Sequence, residues 1–146
     1  MLSGQDGWAH YAEQMIIDEG FKRDDSRYRL AQTSEALTRI CRLISGLRLH
    51  GGEWTIDQAA QLFEREAHLP APAARQEAVR GTYDPTYGGY VLGKMAALKL
   101  RRDYRVSRGG EFSLREFHER VMTDGIAPWW AHRQLLLPGD ERPVIE

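Results

Sequence analysis

The residues best suited to chemistry fall on two stretches that are predicted to be helical. In the first, Asp6, His10 and Glu13 recur at i, i+4 and i+7, which places two carboxylates and an imidazole on one side of a helix. Such a set could bind a divalent metal ion or transfer protons. Three polar residues in one stripe are more often a solvated surface. Ile17 continues the stripe and favours burial against another element, so both interpretations stay open.

The second stretch covers residues 80–94, where two tyrosines and a lysine share one side of a predicted helix. Tyr87, Tyr90 and Lys94 lie at i, i+3 and i+7. Phenol hydroxyls beside a surface that a ligand can approach are suited to stabilising an oxyanion.

Three glycines interrupt the same helix, at Gly88, Gly89 and Gly93. Each costs roughly 1 kcal/mol relative to alanine inside a helix, so another surface is expected to approach this backbone closely. Packing of a neighbouring helix against Gly89-x-x-x-Gly93 is favoured over the approach of a ligand. The stripe predicted to face the core consists of Val91, Met95 and Leu98.

Other candidate sites are weaker. His50 ends a predicted helix and could be a ligand or a general base, although a histidine there is more often a favourable partner of the helix dipole. The basic run over 99–108 includes Asp103 and is not interleaved with stacking aromatic residues, which disfavours nucleic-acid binding. Trp129 and Trp130 predict core packing of a terminal helix, with a partner surface as the alternative.

The composition indicates one soluble domain without a dominant charge. The chain has 146 residues, 20 of them basic and 21 acidic, and a formal net charge of −1, so no global field recruits nucleic acid or an anionic membrane. The single cysteine, Cys41, is expected to be a small buried hydrophobe. No apolar run approaches the roughly 20 residues of a membrane span, and the first residues lack the features of a signal peptide. The compartment is not indicated.

Apolar periodicity and capping signals predict an all-α fold, a bundle of about six to seven helices in a single domain over residues 1–146. No stretch alternates with a period of two. Capping boxes are predicted at Thr55 with Gln58 and at Ser113 with Glu116. The helical pattern starts almost at the first residue, which is typical of a fragment, and the end of the chain is predicted to be a flexible tail over 138–146. The predicted helices span residues 6–19 (closed by Gly20), 26–50 (capped by Ser26), 55–69, 70–79, 85–104 (capped by Asp84, with Pro85 in the first turn), 113–125 and 129–137.

Known catalytic motifs are absent from the sequence. It contains no H-E-x-x-H, no phosphate-binding glycine loop and no G-x-S-x-G. The residues by themselves therefore name no reaction.

Several segments together resemble a large bacterial domain-of-unknown-function family, whose full-length members are zinc-peptidase-like proteins of the gluzincin type. That family is distantly similar to angiotensin-converting enzyme, the oligopeptidases and the Taq-type carboxypeptidase. Residues 6–20 are similar to its E-G-W-A-x-Y-x-E-x-M-x-x-x-E-G helix, and residues 49–59 to its I-H-x-G-x-x-T-x-x-x-A segment. Residues 80–101 are similar to its R-G-T-x-D-P-x-Y-x-x-Y-x-L-G-K-x-x-x-L-K-L-R signature. Residues 112–118 also fit, so the match covers nearly the whole chain.

The resemblance implies the C-terminal portion of a larger helical metallopeptidase-like fold. In the family, an upstream H-E-x-x-H helix supplies two histidine ligands and the general-base glutamate. The glutamate that opens E-G-W-A supplies the third zinc ligand, and Asp6 occupies that position here with a side chain one methylene shorter. Tyr87 and Tyr90 match tyrosines that would hydrogen-bond the substrate carbonyl and its oxyanion. Arg80 and His50 also fall on signature positions.

Three hypotheses follow from the missing H-E-x-x-H motif. The leading one is an inactive C-terminal fragment that self-associates or pairs with the missing N-terminal half, with zinc only in the complete family site and a peptide substrate only when completed. The second is a subunit of a split metallopeptidase that a partner chain completes. The third is a non-enzymatic helical interaction module that docks through Gly89 and Gly93. No cofactor is expected in the isolated chain, and neither nucleic acid nor a membrane span is expected.

Overall fold

The computed structural model describes residues 3–84 and 86–145. Over these residues the chain forms seven α-helices, one 3₁₀ turn and no strand, which confirms the predicted all-α fold. Among the described helices, none combines the length and apolarity that crossing a membrane requires. The elements are α1 (Ser3–Asp18), α2 (Ser26–His50), α3 (Ile56–Glu66), α4 (Ala71–Arg80), α5 (Gly89–Arg108), the 3₁₀ turn (Gly109–Glu111), α6 (Leu114–Thr123) and α7 (Trp129–Leu136).

The helix ends follow the capping chemistry of the sequence. Thr55 and Gln58 exchange the two bonds of a capping box, which confirms the predicted start of α3. Gly20, with a φ of +103°, closes the end of α1 as predicted, because only glycine adopts this conformation without strain. At α2 the cap is Asp25 rather than Ser26, since the carboxylate of Asp25 accepts a backbone N–H in the first turn.

Helix α5 begins later than the sequence predicts. The carboxylate of Asp84 accepts bonds from the backbone N–H and the hydroxyl of Thr86, at 3.0 and 2.7 Å, and so forms a turn of the Asx type instead of a helix cap. The helix therefore begins at Gly89. The predicted start, Pro85, lies outside the described residues.

Helices α1 and α5 cross with their backbones in direct contact. A Cβ atom at Gly7 would lie 2.2 Å from the Cα of Gly93 and 2.8 Å from the backbone nitrogen of Lys94. This contact confirms the helix-packing interpretation of the glycines, with α1 as the neighbouring helix. The hypothesis of a docking surface at Gly89 and Gly93 is corrected accordingly, because α1 already covers Gly93.

The buried apolar residues form two main clusters. The first joins α1, α5, α6 and α7, and the second joins α2, α3 and α4. Cys41 is 2% exposed in the second cluster, which confirms that it is a buried hydrophobe, and burial raises the pKa of its thiol to about 11. The first cluster contains Tyr11, Ala96, Ala97, Leu100, Tyr104, Phe117, Val121, Trp129, Leu136 and Leu137. The second contains Cys41, Leu62, Phe63, Ala67, Ala74 and Tyr87.

The apolar stripe that was predicted to face the core from α5 is largely exposed. Met95 and Leu98 are 43% and 39% exposed, so that prediction is wrong in this structure. The core side of α5 lies on the opposite face, where α1 approaches closely, and its apolar residues are Gly93, Ala96, Ala97, Leu100 and Tyr104. Helix α5 is therefore apolar on two opposite sides, a pattern typical of helices that are covered all round. Helix α2 also has a stripe of exposed apolar residues, which consists of Ile40, Ile44 and Leu47.

The segment after α7 is tied to the bundle by ion pairs. Asp103 on α5 is 5% exposed and accepts bonds from Arg133 at 2.7 Å and from Lys99 at 3.0 Å. Arg133 also donates to Asp140 at 2.7 Å, and Arg142 reaches Asp103 at 3.4 Å. Two residues of the tail that the sequence predicts to be flexible, Asp140 and Arg142, are thus paired with charged residues of α7 and α5.

The substitution Gly7→Ala is expected to destabilise the fold by about 3 kcal/mol or more, because a methyl group there meets backbone atoms that no rotamer change can move. Gly4→Ala is the matched control on the same helix. Its Cβ would lie 3.6 Å from the nearest atom, an ordinary contact, so only the gain in helix propensity of about 1 kcal/mol remains. Urea unfolding of both variants gives the comparison, and equal stabilities would contradict the close crossing.

Candidate functional site

The polar stripe of α1 is directed at α5. His10 is 2% exposed, and its Nε2 lies 3.3 Å from the Nζ of Lys94. Of the two interpretations of this stripe, a solvated surface or burial against another element, the second holds at His10. Asp6, one turn earlier, is half-buried near the start of α5, with one carboxylate oxygen 3.8 Å from the position of a Cβ on Gly89.

Three helices are joined at this place by Arg39 of α2. Its guanidinium donates to both oxygens of Glu13 on α1, at 2.6 and 3.0 Å. The same guanidinium lies over the ring of Tyr90 on α5, 5.3 Å from the ring centroid. Bidentate pairing fixes the guanidinium plane, and this plane in turn fixes the position of the phenol ring.

The environment of His10 favours a neutral imidazole. Burial, together with the positive charges of Lys94 and Arg39, lowers its pKa to about 4, and the opposing effects of the Tyr90 backbone and Glu13 are smaller. Burial also lowers the pKa of Lys94. The Nδ1 atom of His10 is buried without a hydrogen-bonding partner in the described residues. A neutral, desolvated imidazole beside a lysine can accept a proton or a hydrogen bond.

The described residues do not form a zinc site. They contain no group of three or more histidine, cysteine, aspartate or glutamate side chains placed to hold a metal ion. The imidazole nearest to Asp6 in the stripe is His10, and its Nε2 faces the nitrogen of Lys94, which would repel a cation when protonated. Asp6 therefore supplies at most one ligand, and the described residues alone do not fit a catalytic zinc ion.

Tyr87 belongs to a second polar cluster rather than to the stripe of Tyr90. It precedes α5, is 4% exposed, and its hydroxyl donates to Glu77, whose Oε2 and backbone oxygen both lie 2.5 Å away. Arg42 pairs with both carboxylate oxygens of Glu77 at 2.7 Å. The guanidinium groups of Arg42 and Arg80 each lie 5.6 Å from the centroid of the Tyr87 ring.

This environment keeps Tyr87 protonated. Burial raises the pKa of its phenol, and the bond to Glu77 raises it further. Burial alone would raise the pKa of Glu77 as well, but bonds from Arg42 and Tyr87 and the charge of Arg80 lower it below its ordinary value. The phenol is thus a committed hydrogen-bond donor inside the domain, and it links the turn before α5 to α4.

The remaining signature residues lie at the surface. Arg80 is exposed and pairs with Asp84 at 3.1 Å. Its guanidinium also lies over the ring of Tyr87. His50 is exposed at the last position of α2. The structure thus groups Arg80 with Tyr87 and places Asp6 beside Gly89, the residue before Tyr90.

The sequence patterns do not identify the residues that connect these side chains. Arg39 and Arg42 were noticeable only as arginines that lie off the apolar stripe of α2. Glu77 carried no signal, because it lies in a short polar helix whose neighbours depend on the tertiary fold. No local pattern predicts that one carboxylate will accept bonds from both an arginine and a tyrosine of other elements.

The fold and these contacts define an all-helical domain in which α1, α2 and α5 gather polar side chains around one crossing. The profile of a bacterial protein of unknown function, DUF885, matches residues 4–133. The chain belongs to this family, which confirms the resemblance to a bacterial domain-of-unknown-function family.

Two solved structures have the same fold. A chain described as the "putative lipoprotein" from Colwellia psychrerythraea is 27% identical and superimposes on 92% of this chain with a TM-score of 0.88. A chain described as a "putative lipoprotein of unknown function" from Shewanella oneidensis is 28% identical and superimposes on 92% with a TM-score of 0.85. This chain spans 23% and 25% of those two chains, about a quarter of their length. None of the curated proteins matches it.

The substitution Glu77→Gln is expected to lower the free energy of unfolding at pH 7 by about 1–3 kcal/mol, because the amide cannot neutralise Arg42. The folded pKa of Glu77 lies below its ordinary value of 4.5, so the contribution of the carboxylate is complete above pH 4.5 and is lost as the pH falls through the folded value. The stability difference between wild type and variant should therefore shrink below pH 4.5 in denaturant titrations at successive pH values. A difference that stays constant down to pH 3 would contradict the assignment.

Proposed function

We propose that this chain is the C-terminal part of a zinc-dependent peptidase-like protein and is inactive by itself. The observation that carries the proposal is the meeting of two signatures that are far apart in the sequence. Asp6 occupies the third-ligand position of one signature and Tyr90 the tyrosine position of the other. Asp6 lies 3.8 Å from the Cβ position of Gly89, the residue before Tyr90.

The chain's own contribution to such a site is a positioned phenol and a carboxylate. Arg39 holds Tyr90 through its ring contact and is itself held by Glu13. A phenol held in this way supports binding of a substrate carbonyl and the oxyanion derived from it, since a preorganised donor needs no reorganisation during the reaction. We include Tyr87 and Arg80 as neighbours of this site. Tyr87 contributes by fixing the turn that precedes α5 and Tyr90. His50 is retained as a signature position without a role.

Incompleteness of the chain is supported by the two-sided apolar character of α5. Leu92, Met95 and Leu98 are each 39% or more exposed on a helix whose opposite side is core. The two solved neighbours are about four times as long as this chain, so each contains polypeptide that this chain does not. We propose that the missing H-E-x-x-H helix lies in a further N-terminal part, either of the same protein or, alternatively, in a partner chain that completes a split peptidase.

The isolated chain is expected to bind zinc at well below one ion per molecule and to leave peptides uncleaved. Activation of water by zinc needs about three protein ligands, whereas Asp6 is the only residue here that matches a ligand position. Metal analysis after dialysis against trace zinc, with a peptidase assay on the same sample, gives the measurement. Stoichiometric, tightly held zinc together with peptide turnover would contradict the proposal.

The isolated chain is also expected to self-associate through the exposed apolar side of α5. Light scattering should show dimers or larger species at high concentration, and Met95→Lys with Leu98→Lys should return the chain to a monomer. Leu135→Lys with Met122→Lys is the control, because these residues are 52% and 57% exposed on other helices and their replacement adds the same two positive charges. A wild-type monomer at every concentration would count against this use of α5.

A further inference from the structure

A pocket lies between the first turn of α1 and the segment that joins α6 to α7. Its volume is about 200 Å³, and one side is open to solvent. The wall is mostly apolar and includes two tryptophans. Residues that line it include Gly4, Trp8, Val121, Ile126, Trp129 and His132.

The size and the walls of the pocket suit a single aromatic ring system. Trp8 and Trp129 have their ring centroids 6.4 Å apart at an interplanar angle of 31°, and both rings border the space. An engineered apolar cavity of about 150 Å³ in another protein binds benzene, so a space of this size can admit a ring of the size of phenol or indole. Aromatic side chains favour such ligands through offset or edge contacts.

One polar atom in the wall lacks its partner. His132 is 3% exposed, and its Nδ1 is buried without a hydrogen bond to any described residue. Burial lowers the pKa of this imidazole more than the nearby Asp124 and the backbone of Gly125 raise it, so the ring is neutral at pH 7. A neutral imidazole nitrogen can accept a hydrogen bond, so a ligand that donates one would satisfy this buried atom.

We infer that this pocket is a binding site for a small, neutral aromatic molecule that carries one hydrogen-bond donor, with the ring against Trp8 and Trp129 and the donor directed at Nδ1 of His132. The chemical class is that of phenols and indoles. The site is independent of the proposed peptidase-like function, because the helical spacing of α1 puts Trp8 on the opposite side from Asp6 and His10. Failure of either proposal therefore leaves the other unaffected.

The test compares phenol with toluene, which has nearly the same shape but no hydroxyl group. The intact chain is titrated with each probe and followed by the indole N–H signals of its tryptophans in ¹H–¹⁵N spectra. Phenol is expected to bind roughly tenfold more tightly than toluene, because only phenol can satisfy the buried nitrogen. Shifts should concentrate on Trp8 and Trp129, with Trp54 on the other side of the molecule as the internal control.

Two variants separate the space from the hydrogen bond. Gly4→Leu should abolish binding of both probes, because the side chain extends from a position 3.8 Å from Ile126 into the pocket, whereas Gly4→Ala fits at ordinary contact distance and should bind as wild type does. His132→Phe keeps a ring in the wall and should remove the preference for phenol over toluene.

Several results would overturn the inference. Absence of any phenol-induced shift at Trp8 and Trp129 in the wild-type chain would exclude the site. Equal binding of phenol to Gly4→Leu and Gly4→Ala would place the ligand elsewhere. A preference for phenol that survives in His132→Phe would exclude the role of Nδ1, and if that variant does not fold, the phenol and toluene affinities of the wild-type chain decide the point, since equal affinities exclude it as well.

Discussion

Contact between the backbones of α1 and α5 is the constraint on which the rest of the structure depends. Gly7 and Gly93 leave no room for a side chain at the crossing, since a Cβ on Gly7 would lie 2.2 Å from Gly93. This closeness brings the polar stripe of α1 against the first turns of α5. It also buries His10 beside Lys94, where a protonated imidazole would be repelled by the ammonium but a neutral one can accept a hydrogen bond from it. The glycines therefore set the geometry, and the polar groups adapt their protonation to it.

The two polar clusters contain contacts of two kinds. Those at Glu77, where an arginine and a tyrosine satisfy one half-buried carboxylate, stabilise the connection between α4 and the turn before α5. Those at Arg39 join α1, α2 and α5 but leave the hydroxyl of Tyr90 available in the part of the chain that the structure describes. A site that must bind a substrate needs donors of the second kind, held in position but not already satisfied. For this reason Tyr90 is the stronger candidate of the two tyrosines.

The sequence was sufficient for the fold class and for most helix boundaries, because capping and periodicity are local. Thr55 and Gln58 show this, as does Gly20. It was insufficient where tertiary contacts decide the outcome. The stripe of Met95 and Leu98 has the spacing of a core face, and only the approach of α1 to the glycine side shows that the core lies opposite. The candidate site was predicted as residue types, but the links through Arg39 and Glu77 depend on elements distant in the sequence, so spacing could not predict them.

The central claim is that this domain supplies one side of a composite site, with Tyr90 as its substrate-binding phenol. The most direct measurement is peptide cleavage after the purified chain is combined with zinc and the N-terminal part of a family member that carries H-E-x-x-H. The account predicts that activity appears on mixing, is lost with Tyr90→Phe, and is retained with Tyr83→Phe, which removes a hydroxyl from a side chain that is 71% exposed. No gain of activity on mixing, or equal activity of the two variants, would contradict it.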